Sequence, residues 1–220
     1  MIGGQTASYQ GYEVALFPLS YINISQTSSP SSFSHCCGRP CDYVGIYSNF
    51  PIYAPFSCHL CYSDNVGNTR AYSSNAPVWT PSGLSYVTVS FTHDNNPPSA
   101  TSFSQGQLIA HTGTAGFVTG EHTHIDQSLQ GNARLVSYGI TCSGGNLCYA
   151  LSGSTDPNAV FYLTGSETII NTRGYNFQTW NNIDPPVPPG PPEPPEPPEP
   201  IKTFKWWMSK RIIERRKHGL

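Results

Sequence analysis

Residues 185–200, PPVPPGPPEPPEPPEP, hold eleven of the chain's 21 prolines. A proline lacks the backbone N–H that helices and ladders use, and it fixes its own φ, so this stretch can join neither. It favours an extended polyproline II rod, which at about 3.1 Å per residue spans roughly 50 Å. The run divides the 220 residues into a body over 1–184, a spacer over 185–200 and a short segment over 201–220. The body alone is long enough for one domain with a sizeable core.

Charge separates the same three parts. The body carries Arg39, Arg70, Arg134 and Arg173 against nine acidic residues, a net of −5. The spacer adds three glutamates, and residues 201–220 hold seven Lys and Arg against Glu214, a net of +6. A mildly acidic body is a poor electrostatic match for nucleic acid, which is excluded as a partner. No run of about 18 apolar residues exists, so the sequence predicts no transmembrane helix. Residues 1–10 lack a basic stretch ahead of an apolar one, so no secretory signal is expected.

Charged residues make up only 11% of the chain, against about 25% in an average domain. Salt-bridged helical faces are scarce with that composition, and strands joined by turns are favoured. The clearest strand patterns lie at residues 12–18, 51–55, 85–93 and 106–111. Turn signals such as SSPSS, NVGN, PSG, DNNPP and SGGN fall between such runs. The expected fold is mainly β: a single compact antiparallel sheet or sandwich domain, its one helical candidate at residues 157–163. Beyond the spacer, Ile201, Phe204, Met208 and Ile212 recur at helical spacing among basic residues, with Trp206 and Trp207 beside them. This predicts a short basic amphipathic helix that orders on a partner, either a membrane surface or a protein groove.

The chemistry concentrates in histidines. His122, His124 and Asp126 alternate, so on a strand they share one face. Two imidazoles with a carboxylate behind them begin a zinc site, the acid fixing a histidine tautomer. The run Val87, Val89, Phe91 alternates as a buried stripe, and His93 continues it at the strand's end. Upstream, His35 and Asp42 flank a tight turn in SHCCGRPCD, followed by Pro51-Ile-Tyr-Ala-Pro55.

This order, with the stretch GQLIAHTGTAGFVTGEHTH over residues 106–124, resembles the lysostaphin-type zinc endopeptidases that cut bacterial peptidoglycan. The resemblance covers roughly residues 15–130. It implies that His35, Asp42 and His124 are zinc ligands, with water in the fourth place. His93 and His122 would then be catalytic, moving protons and stabilising the transition state. Two departures stand out. Six residues separate His35 from Asp42, where the family usually has three, and Asp126 stands where it commonly has Glu.

Seven cysteines cannot all pair with one another. Cys37, Cys41, Cys58 and Cys61 have the spacing of a structural zinc site, but disulfides among them or free thiols are equally open. Cys142 and Cys148 read as a small disulfide-closed loop. The resemblance implies a zinc metalloendopeptidase acting on peptidoglycan, with Zn²⁺ as cofactor. The spacer and basic tail suggest a phage virion lysin at the tail or cell wall, held to other tail proteins through 201–220. The alternatives are a non-catalytic peptidoglycan- or tail-binding module, and a membrane-active protein acting through the tail.

Overall fold

The computed structural model describes residues 1–180. The spacer and basic helix expected over 185–200 and 201–220 lie outside the described residues. Among the described residues the chain is mainly β, as its composition implies. An eight-stranded sheet runs in the order Ser102–Phe103, Cys58–Ser63, Arg70–Ser74, Thr88–Thr92, Thr123–Ser128, Cys41–Tyr43, Tyr21–Gln26 and Thr168–Asn171. Neighbours are antiparallel except the last pair, which is parallel. Four two-stranded sheets surround it, among them Pro51–Tyr53 with Leu108–His111 and the hairpin Leu135–Thr141 with Leu147–Leu151. The helix expected at 157–163 is one turn, Pro157–Val160, with proline at its start where the missing N–H costs nothing.

Alternation along the strands sorts the two faces of the sheet. Cys41, Tyr43, Val89, Phe91 and Ile125 point into the main core, where Phe17 and Phe161 meet edge to face with centroids 5.9 Å apart. Asp42, Ser90, Thr92, His124 and Asp126 fall on the opposite face and line a cleft. One face is thus dry and apolar, the other polar and open.

The cysteines correct the sequence reading. Two disulfides join Cys36 to Cys142 and Cys37 to Cys148, while Cys41, Cys58 and Cys61 are free thiols. The closed Cys142–Cys148 loop is therefore not formed. Residues 31–39 run beside the hairpin that carries both cysteines, and the adjacent Cys36 and Cys37 take one each. The set Cys37, Cys41, Cys58 and Cys61 forms neither a zinc site nor disulfides among its own members. Three residues apart on a strand, Cys58 and Cys61 face opposite ways: Cys58 enters the main core, and Cys61 packs against a separate small cluster. Cys41 is buried beneath the sheet, its thiol 3.8 Å from the Tyr175 hydroxyl.

Candidate metal centre and cleft

Register brings the first two donors together. His124 pairs directly with Asp42 across adjacent strands, and both side chains rise from the cleft face. His124 Nδ1 stands 3.2 Å from Asp42 Oδ1. The third donor comes from a loop: His35, only 2% exposed, places Nε2 3.0 Å from His124 Nδ1 and 3.2 Å from Asp42 Oδ1. The three sequence-predicted ligands therefore meet in one small triangle, whose donors lie close enough together to hold a metal ion.

The donor set fits zinc. Tetrahedral bonds of about 2.0–2.2 Å put neighbouring ligand atoms roughly 3.3 Å apart, close to the observed edges of 3.0 and 3.2 Å. Nitrogen and carboxylate oxygen are both ordinary zinc ligands, and three protein donors leave a fourth position toward the cleft. Two imidazole nitrogens facing each other at 3.0 Å would also repel as bare lone pairs unless a proton or a cation lies between them. His35 Nδ1 is buried and has no hydrogen-bond partner among the described residues.

Electrostatics reflect the same convergence. Burial pushes the His35 pKa down, and the neighbouring His124 adds to this. Burial also acts to lower His124, but its hydrogen bond to Asp42 and that carboxylate's charge outweigh it, so His124 is raised. Burial acts to raise Asp42, and the hydrogen bonds from His124 and His35 overcome it, holding the carboxylate well below its usual range.

His93 reaches the cleft by a backbone device. Strict alternation would send it into the core after Phe91. Instead its φ of 84° turns it to the side of Ser90 and Thr92. Three hydrogen bonds fix this uncommon conformation. The His93 N–H donates to the Gly67 carbonyl at 2.7 Å, the His93 carbonyl accepts from Ala115 N–H at 3.0 Å, and ring Nδ1 donates to the Ala115 carbonyl at 2.8 Å. A ring that donates through Nδ1 presents an unprotonated Nε2 when neutral. Burial lowers the His93 pKa to about 4, so the ring is neutral near pH 7. A Cβ at Gly113 would lie 2.1 Å from the His93 carbonyl oxygen, so only glycine fits there.

His122 is built alike. Nδ1 donates to the Gly120 carbonyl at 2.8 Å, and Nε2 lies 3.6 Å from Asp42 Oδ1. The His93 and His122 rings sit 4.6 Å apart, next to the donor triangle.

Asp126 differs from expectation. Its carboxylate accepts from the Leu151 N–H at 2.6 Å, from the Gln127 N–H at 2.9 Å and from the Ser154 hydroxyl. These partners occupy it, so Asp126 ties the His124 strand to the Leu147–Leu151 strand instead of bonding a histidine ring. His111, in the glycine-rich run, donates its N–H to Asp94 at 2.8 Å and does not line the cleft.

The cleft measures about 640 Å³. Sequence reasoning missed its walls: Phe33 and Phe117, stacked 6.0 Å apart, and Tyr62, Leu135 and Tyr149. For Phe33 and Phe117 the available signal was an exposed aromatic inside a glycine- or serine-rich loop.

No family model matches the chain. Morphogenesis protein 1 of Bacillus phage B103 is 32% identical over 125 residues, covering 56% of this chain and 34% of that protein. The chain thus spans about a third of the length of that curated relative. Among solved structures it is similar to lysostaphin from Staphylococcus simulans, at 15% identity over 66% of this chain and 53% of that one, TM-score 0.38. It is also similar to a putative M23 peptidase from Pseudomonas aeruginosa, at 15% identity over 73% and 55%, TM-score 0.36. A zinc-containing peptidase from Vibrio cholerae gives 14% identity over 55% and 41%, TM-score 0.37.

Proposed function

We propose that the body of this chain is a zinc-dependent endopeptidase that hydrolyses amide bonds of bacterial peptidoglycan. The observation that carries this reading is the triangle of His35 Nε2, Asp42 Oδ1 and His124 Nδ1 at the floor of a cleft, with two further imidazoles beside it. Zinc held there would lower the pKa of a bound water toward about 7 and polarise a scissile carbonyl.

The chain's own residues do the rest. Amide hydrolysis moves one proton from the attacking water to the departing amine. His93 and His122 are the cleft groups able to carry it, each with Nδ1 anchored on a backbone carbonyl and Nε2 left for the substrate. Once protonated, either ring can also hydrogen-bond the developing oxyanion. Asp42 stays ionised and supplies negative charge opposite the cation. The Phe33–Phe117 pair and the tyrosines give the cleft apolar walls for the substrate's backbone and side chains.

The phage relative supports a place in a virion, and the role proposed there is local wall digestion that assists genome entry. In that setting the basic, aromatic composition of residues 201–220 suits attachment to a tail protein or a membrane surface. No helix among the described residues is long and apolar enough to cross a membrane. The metal content of the purified chain tests the reading directly. About one zinc per chain is expected, falling to near zero in Asp42→Ala; a protein that neither carries nor takes up zinc would refute it.

A further inference from the structure

We infer that the disulfides Cys36–Cys142 and Cys37–Cys148 are the positioning device for His35, and that the hairpin Leu135–Thr141 with Leu147–Leu151 is the platform they use. The inference rests on the reading of His35 as a metal ligand. Asp42 and His124 are placed by paired strands. His35 is not: it lies in residues 27–40, which form no regular secondary structure. Six residues separate it from Asp42, so the turn between them leaves it many alternative positions.

Inside the loop the His35 N–H donates to Ser32 Oγ at 2.8 Å and its carbonyl accepts from the Ser29 N–H at 2.9 Å; what fixes the loop itself is contact with the hairpin. Both residues after His35 are bonded covalently to that hairpin. Around them the Ser143 N–H donates to the Ser32 carbonyl at 3.3 Å, and the Gly144 N–H donates to the Phe33 carbonyl at 3.1 Å. The Arg39 N–H donates to Ser154 Oγ at 2.7 Å. Gly38, at φ 63°, packs so closely that a Cβ there would lie 2.4 Å from the Ala150 Cβ. The loop is thus zipped along the hairpin on both sides of its ligand. Asp126, bonded to Leu151 and Ser154, ties the same platform to the His124 strand. Zinc affinity is therefore coupled to the oxidation state of four cysteines, none of which is itself a ligand.

Each bond opens by thiol–disulfide exchange with a dithiol. Two electrons and two protons pass to the cysteine sulfurs, and the reagent leaves as its own disulfide. Reduction alone is an ambiguous test, because released thiols bind zinc themselves. The experiment uses paired substitutions in the full chain, Cys36→Ser with Cys142→Ser and Cys37→Ser with Cys148→Ser, alone and combined. Zinc affinity is measured by competition with a chromophoric chelator, and folding by far-UV circular dichroism and thermal melting.

The combined variant is expected to keep the β spectrum and bind zinc about 10- to 100-fold more weakly, the range typical when groups supporting a ligand are lost. His35→Ala should weaken binding at least as much, and adding the cysteine substitutions to His35→Ala should weaken it little further. Wild-type affinity in the combined variant, with Asp42→Ala still losing zinc, would overturn the inference and leave the metal centre standing. Unfolding of the sheet on removal of either bond would also overturn it, because the bonds would then hold the fold and not the ligand. Retention of zinc by Asp42→Ala and His124→Ala would instead refute the metal centre itself.

Discussion

The two histidines of the His122-Thr-His124 stretch have different neighbours, and single substitutions separate them. His124→Ala and Asp42→Ala each remove a donor from the triangle, so both should lose zinc and turnover together. His93→Ala and His122→Ala should keep zinc while kcat falls about 10²- to 10⁴-fold, the usual weight of a positioned acid or base. Metal analysis beside kinetics checks this, and zinc loss in His122→Ala with retention in His124→Ala would invert the assignment. In zinc-free protein His93 titrates at about 4, below the roughly 6.5 of an unfolded histidine. Its contribution to stability is present above pH 6.5 and lost as pH falls toward 4. Replacing it by Gln should flatten the loss of chelated-protein stability across that window, as followed by urea midpoints. Burial raises the thiols of Cys41 and Cys58 to about 12, so both should resist alkylation at pH 8. Cys61, less buried, should be the first to react. Intact mass should show three alkylations only after unfolding, and seven only after unfolding with reductant.

Among the elements, strands that carry their own pattern were legible in the sequence, and loops fixed by distant partners were not. The alternation of His122, His124 and Asp126 foretold a shared face, and the structure places all three on the cleft side. Buried Val87, Val89 and Phe91 likewise follow their alternation. That same rule misdirects His93, because no period predicts a φ of 84°. The bond partners of Cys36 and Cys37 lie more than a hundred residues away, and only the folded hairpin brings them near; spacing alone cannot give connectivity. Asp126 was legible as a carboxylate behind the histidines, but not as a clasp on Leu151 and Ser154, which the resemblance does not reach. The glycine-rich run has a testable part in this. Gly113→Ala should push the His93 carbonyl aside and cost about 1–3 kcal/mol, with turnover reduced and zinc retained. A variant with unchanged melting temperature and kcat would show that the His93 turn tolerates displacement.

At the scale of the whole molecule, the proposed function assigns hydrolysis to residues 1–184 and attachment to residues 201–220. Deleting residues 185–220 should leave hydrolysis of soluble muropeptides unchanged while freeing the protein from its particle or surface. Raised salt should strip a tail held to an anionic membrane, where each basic residue contributes about 1 kcal/mol. A tail docked through Phe204, Trp206 and Trp207 should resist salt. Sedimentation of particles or vesicles at two ionic strengths decides between these. The central claim, that a zinc ion held by His35, Asp42 and His124 cuts the wall, is tested most directly by digesting purified peptidoglycan and analysing the products by mass spectrometry. The account predicts muropeptides with newly freed amine and carboxyl ends, none after chelation, recovery on adding zinc, and none from His124→Ala. Release that persists in chelator, or glycan fragments with intact peptides, would contradict it.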